Sequence, residues 1–445
     1  MLVTTTPNQP PASATHPVTG LLGLAGLFAG LVVLARYDIG LNQVQQALFV
    51  CVAAALPMML VETLWFRRYR QGGTRKPVRR IDIVRVGAKL LGLYAAFTLI
   101  AIGYWLFPEY ADRFYGPFFY VLQDVWPWLA ALAVPYFLWL DARLIEPRDG
   151  AWHAGMAALG QWRRVDHLML RQFALGWLIK AFFLPLMFAL LARSLAYVLQ
   201  GIETGALWHS AQWFRVALEM TFLVDLVFGV LGYTLAMRWL DSQIRSAEPT
   251  LLGWLSALAC YQPLWGVIGA TYLAYDRDGF GWQNWLAGSD ALTLVWSVFI
   301  IGLSAIYAWA TVAFGLRFSN LTHRGIITSG PFRATKHPAY IAKNLSYWLI
   351  AVPFVAAGGW DDALRNSLLL LLVNVIYYVR ARTEERHLAL DPVYVEYALW
   401  VERHGWLRKA GEWCPGLFRF RWRSAEQARA ALGPTGAVFG PAGNA

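Results

Sequence analysis

Two short polar stretches hold the residue types that could do chemistry. One is Gly330-Pro331-Phe332-Arg333-Ala334-Thr335-Lys336-His337-Pro338-Ala339-Tyr340. The other opens with Arg382-Thr383-Glu384-Glu385 and runs on to Tyr394 and Tyr397. Gly330-Pro331 signals a turn, and Pro338 suits the first turn of a helix. A helix start offers free backbone N–H groups and a positive dipole end, which suit an anion. Arg333, Lys336 and His337 add cationic donors beside it. Glu384 and Glu385 are adjacent, so on a helix they point about 100° apart. One of them can face a ligand while the other makes a structural contact. Arg380 lies four residues before Glu384 and is spaced to pair with it. A carboxylate held against a cavity can take an ammonium or a pair of hydroxyls. Tyr394 and Tyr397, three apart, share a helix face that can cover such a cavity. An anion seat, a carboxylate and aromatic rings together suit a zwitterionic ligand.

The elements that must position these residues are membrane helices. The 445 residues are 58% hydrophobic and 15% charged, against about 25% charged in a soluble domain. Apolar runs long enough to cross a bilayer recur at about ten places: 18–35, 44–65, 86–107, 117–140, 172–199, 213–239, 251–274, 291–314, 341–357 and 363–380. The expected fold is all-α, a polytopic bundle with a carboxy-terminal pocket on the cytoplasmic side. The ninth run is short, contains Pro353, and pairs with the tenth as a hairpin turning at Gly358-Gly359.

Loop charge alternates. Arg67, Arg68, Arg70, Arg75, Lys76, Arg79, Arg80 and Arg85 follow the second run, and Arg143, Arg148, Arg163, Arg164 and Arg171 follow the fourth. The intervening loops are acidic or neutral. The positive-inside rule places both termini and both polar stretches in the cytoplasm. The formal net charge of +11 is spent on this topology. No basic region outside the membrane is long enough to bind nucleic acid. Cys51, Cys260 and Cys414 are far apart, so neither a metal site nor a disulfide framework is expected. Inside the runs, Arg193 with Glu219 and Lys180 with Asp225 are expected to pair across two adjacent helices.

The two polar stretches resemble the isoprenylcysteine carboxyl methyltransferase family of integral-membrane enzymes. The resemblance covers about residues 317–401. It rests on Gly330, Pro331, Phe332, His337, Pro338, Tyr340, Arg382, Glu384, Glu385, Leu388, Tyr394 and Tyr397. Lys336 stands where the family usually has arginine, Asp391-Pro392-Val393 replaces an aromatic-Gly pair, and the Pro-rich closing stretch is missing. The resemblance implies S-adenosylmethionine as cofactor. It implies cofactor binding by Gly330, Pro331, Arg333, Lys336, His337, Tyr340, Glu384, Glu385 and Tyr394, and catalytic roles for Arg382, Glu385 and Tyr340. It also implies a lipid or lipid-modified acceptor entering from the bilayer of a bacterial inner membrane. The chain then divides into a disordered tail (1–17), an amino-terminal membrane region of unassigned role (18–290), the methyltransferase-like domain (291–410) and a carboxy-terminal tail (411–445). Two rival readings are an NADPH-dependent sterol-type reductase with a similar carboxy-terminal layout, and a transporter or membrane scaffold built on the first seven runs.

Overall fold

Backbone N–H and C=O groups in hydrocarbon have no water to bond, so apolar runs of this length close their hydrogen bonds internally as helices. A computed structural model describes residues 9–71, 73–74, 79–206 and 212–432. The other positions, including Arg75, Lys76, the 207–211 loop and the ends of both tails, lie outside the described residues. Seven helices are long and apolar enough to cross a membrane, and the protein is a membrane protein. They are Pro17–Arg36 (α1), Gln43–Leu60 (α2, extended to Trp65 by one wide turn), Ile83–Leu106 (α3), Gly116–Arg143 (α4), His167–Glu203 (α6), Asp290–Phe314 (α11) and Trp360–Leu388 (α13). Between them lie the short Gly150–Ala158 (α5) and the 22-residue Trp213–Thr234 (α7).

Of the three expected runs not among these seven, 213–239 forms α7, and the other two differ for identifiable reasons. The run 251–274 is not one helix. It breaks into Leu251–Leu258 (α8), Leu264–Val267 (α9) and a wide turn Ile268–Tyr272. Pro263 lacks the N–H that a continuing helix would need. The next helix, Gly281–Trp285 (α10), is a single turn. The run 341–357 yields Pro338–Ala351 (α12), only 14 residues. It ends at Val352 in the left-handed region, and Pro353 follows. α13 extends past its apolar run without a break, so Arg382, Glu384 and Glu385 ride on the same rigid rod as the membrane segment.

The core is assembled around α6, whose buried face includes Ile179, Phe183, Leu191 and Leu195, packed on α7 and α2. Glycines set the closest helix contacts. A Cβ on Gly92 of α3 would sit 2.1 Å from the Ala151 carbonyl oxygen of α5, and one on Gly155 would sit 1.8 Å from that of Ala88. Small residues are what let membrane helices approach this closely.

Both expected tails pack against the body where they are described. Near the amino terminus, Ala14 N–H donates to the Ile326 carbonyl at 2.8 Å, and Thr328 Oγ1 donates to the Pro11 carbonyl at 2.7 Å. Residues 11–15 therefore lie against the 326–329 loop instead of forming a free tail. Beyond Pro392–His404 (α14), the chain forms Arg408–Trp413 (α15), Pro415–Phe418 (α16) and Ala425–Leu432 (α17). Phe420, 1% exposed, packs edge-on to Tyr394.

The pairs expected inside the membrane do not form. Glu219 accepts from Ser194 at 3.0 Å, while Arg193 is exposed. Asp225 accepts from Tyr307 and Thr311, each at 2.6 Å, and Lys180 lies over the Trp177 ring. A hydroxyl one layer away satisfies a carboxylate without requiring a cation at matching depth.

Candidate functional site

Gly330 adopts φ +61, and a Cβ there would lie 3.3 Å from Trp309 Nε1. The turn therefore needs glycine at this position. It leads through one tight turn, Gly330–Arg333, into α12 with Pro338 in its first turn. His337 occupies the cap position, but its side chain does not cap the helix. It reaches across to α13 instead.

Glu385 is the centre of a buried ion cluster. It is 2% exposed, meets Lys336 Nζ and His337 Nε2 (3.2 Å) at one oxygen, and accepts from Arg382 Nη1 at 2.9 Å on the other. Lys336 and His337, expected to seat a ligand's carboxylate, are thus engaged by a carboxylate of the protein itself. The third cation of that expected seat, Arg333, is exposed and away from the cavity. Arg382 donates to the carbonyls of Gly416, Leu417 and Arg419 at 3.1, 2.7 and 2.9 Å, and to the Tyr378 hydroxyl at 3.0 Å. It clamps the carboxy-terminal segment onto α13 and does not border the cavity. Neither does Tyr394, which is buried between Tyr397 and Phe420 with its hydroxyl unbonded. Burial pushes that phenol well above its ordinary range. Gly330 and Pro331 shape the connection from outside the cavity wall.

A rotation of about 100° along α13 separates the two carboxylates. Glu384 accepts from the Tyr340 hydroxyl at 2.6 Å and borders a cavity enclosing about 960 Å³ of atom-free space out to its mouth. His337, whose ring stacks on Tyr340 with centroids 5.4 Å apart, and Lys336 border it too. Of the expected residues, the structure therefore brings Lys336, His337, Tyr340 and Glu384 to one cavity. Glu385 and Arg382 stand behind them.

Much of the cavity was not foreseen. Arg380 does not pair with Glu384; it donates to Asn320 Oδ1 at 2.6 Å and lies over the Tyr261 and Tyr340 rings at 5.3 and 5.0 Å. Lys343 sits among Tyr307, Tyr347 and Tyr377 at 5.6, 6.0 and 5.8 Å from their centroids. At another wall, Glu248 Oε2 lies 3.7 Å from His387 Nδ1, while His387 Nε2 contacts Ser246 Oγ at 2.9 Å. Burial raises the Glu248 carboxyl against the lowering pull of Thr250, which hydrogen-bonds it. Lys343 carried a readable signal, being the one charge in the run 341–357. Tyr261, Tyr307 and Glu248 carried none, because only the fold brings residues so distant in sequence to one wall.

The arrangement can hold a ligand bearing both charges: Glu384 for a cation or hydroxyls, Arg380 and Lys343 for an anion, and tyrosine faces for an organic cation. Among the described residues, no cluster suits a metal ion. No protein-family profile, curated protein or solved structure matches the chain.

Proposed function

We propose that the protein is an S-adenosylmethionine-dependent methyltransferase of a bacterial inner membrane. It works at the cytoplasmic face, with both termini cytoplasmic, on a lipidic or amphiphilic acceptor whose nucleophile is a carboxylate, thiol or other group. The observation that carries this reading is Glu384 at the wall of a cavity that also holds His337, Tyr340 and Arg380. The motif residues thus border a cavity with a carboxylate and aromatic faces on its surface. In this reading Glu384, held by the Tyr340 hydroxyl, takes the ammonium or ribose hydroxyls. The Tyr340 face stabilises the sulfonium by about 0.5–2 kcal/mol. Amides of the 318–322 connection and the His337 side face the remainder. The bound cofactor supplies an electrophilic methyl group. The chain's own contribution is to align acceptor and methyl and to exclude water.

The test is equilibrium binding of S-adenosylmethionine and of NADPH to the purified full chain. S-adenosylmethionine should bind and NADPH should not. Glu384→Gln should weaken cofactor binding by roughly ten- to hundredfold, the loss of one charged hydrogen bond, with an unchanged unfolding temperature. Absence of S-adenosylmethionine binding at millimolar concentration would remove this reading. NADPH binding in its place would install the reductase.

A further inference from the structure

Buried charges in proteins are normally paired, because an isolated ion in a low-dielectric interior is strongly disfavoured. Lys343, half-buried, departs from that rule. Its ammonium has no carboxylate within 4.0 Å and no hydrogen-bond partner among the described residues. Three tyrosine rings from α11, α12 and α13 surround it, and its remaining surface faces the cavity. Asp225 acts on it only from beyond ion-pair distance, with each oxygen already accepting a hydroxyl. Arg380, the other deep cation of the same cavity, likewise has no carboxylate within 4.0 Å among the described residues. The ring box holds the lysine stem in place and leaves the charge available.

Lys343 lies six residues along α12 from His337, about 9 Å further along the helix axis. It is therefore set apart from the Glu384–His337 end, where the proposed cofactor is held. We propose that Lys343 anchors an anionic group, a carboxylate or phosphate, on the amphiphile that enters this cavity, and that the anchored group is not the atom that receives the methyl. The second half rests on the methyltransferase reading. A nucleophile ion-paired to an ammonium in a dry site is stabilised in its ground state, which raises the barrier to its attack. The cavity thus selects an acceptor with two functions, a nucleophile and a separate anion, and the product keeps its negative charge.

The experiment uses the full chain in non-ionic detergent. Octanoate, octyl phosphate, octanol, octyltrimethylammonium, acetate and inorganic phosphate are compared as ligands, for wild type and Lys343→Met, with S-adenosylmethionine binding measured in parallel. The two octyl anions should bind at least about tenfold tighter than octanol or the octyl cation, and Lys343→Met should abolish that preference while leaving octanol unchanged. Acetate and inorganic phosphate binding as tightly as their octyl forms would identify a free-anion site and overturn the amphiphile. The methionine stem fills the ring box without a charge to desolvate, so the variant should unfold at a higher temperature than wild type. A lower unfolding temperature would make Lys343 structural and overturn the inference. So would unchanged anion binding, or loss of S-adenosylmethionine binding in the variant instead of anion binding. Wild-type anion preference without S-adenosylmethionine binding keeps the anchor and removes the methyltransferase; the converse removes only the anchor.

Discussion

A fully buried and a half-buried lysine show how differently two regions of this molecule treat charge. Lys89 in α3 is fully buried, with Asp141 at 3.9 Å and Asp149 at 3.8 Å. Arg85 also grips Asp141, with Nε and Nη2 at 2.5 and 2.8 Å. Lys343 has tyrosine faces and a cavity. Two buried arginines repeat the contrast. Arg324 donates to four backbone carbonyls, those of Ser242, Gly232, Phe318 and Leu316, at 2.7 to 2.8 Å. Arg380 has one amide oxygen, the Tyr261 hydroxyl at 3.5 Å and two rings. A cation closed by the protein's own oxygens is architecture, and one left facing a cavity is available to a ligand.

The largest expected effect breaks the arginine half of that comparison. Arg324→Ala leaves four buried carbonyls without their donor. Charged hydrogen bonds are worth about 1.5–3 kcal/mol each, so the summed loss approaches the whole stability of a typical domain, about 5–15 kcal/mol. The variant should give no monodisperse peak on size exclusion in detergent, whereas Arg380→Ala should elute and unfold like wild type. Identical behaviour of the two would erase the distinction.

Next comes the lysine half. Lys89→Met removes the ammonium that Asp141 and Asp149 both face, so it should destabilise by up to about 3–5 kcal/mol, the usual consequence of breaking a buried pair. Arg85 remains on Asp141 and moves the value toward the lower end. Thermal unfolding should fall for Lys89→Met and rise for Lys343→Met. Shifts of the same sign would show that burial alone, and not pairing, decides.

Smaller again is the division between adjacent carboxylates. Glu385 holds Lys336, His337 and Arg382, so Glu385→Gln should lower the unfolding temperature and loosen the carboxy-terminal segment that Arg382 clamps. Limited proteolysis near Leu417 would detect that loosening. Glu384→Gln should leave stability and proteolysis alone. Loss of stability at Glu384 instead would reverse the assignment of wall and support.

These contrasts also mark what a sequence can carry. Adjacent carboxylates on one helix must diverge by about 100°, so a split between a cavity-facing and an inward-packed carboxylate was readable in advance. Which of the two faced the cavity was not, because that depends on the rotation of α13 against α12. Long apolar runs announced their helices, and Gly358-Gly359 announced the hairpin. The break at Pro263 was present in the sequence but masked by the hydropathy on both sides. The Lys336–Glu385 contact escaped because positive-inside statistics and an anion seat both account for a loop lysine without reference to a carboxylate 49 positions away. Arg324 read as one more loop cation. Its role appears only when helix ends from α7 and α11 converge on it with unsatisfied carbonyls.

The smallest effect concerns a charge at a helix cap of the same region. Asp391 caps α14 through the Val393 N–H at 2.9 Å, and its other oxygen lies 3.1 Å from His323 Nε2. Burial works against the ionised form, but the His323 contact and the cap prevail and hold the carboxyl below its ordinary value of 3.8. A depressed folded value means that the unfolded chain binds its proton first as pH falls. The stabilisation is therefore complete above about pH 4 and is lost as pH drops through the folded value. Asp391→Ala should lose the cap at every pH, about 0.5–2 kcal/mol. Asp391→Asn keeps a capping oxygen and should lose only the acid-sensitive part, so its unfolding temperature should converge with wild type below about pH 4 and lie below it above that. An Asn profile parallel to wild type across the whole range would show that the His323 contact carries no energy, and that Asp391 is there for the helix alone.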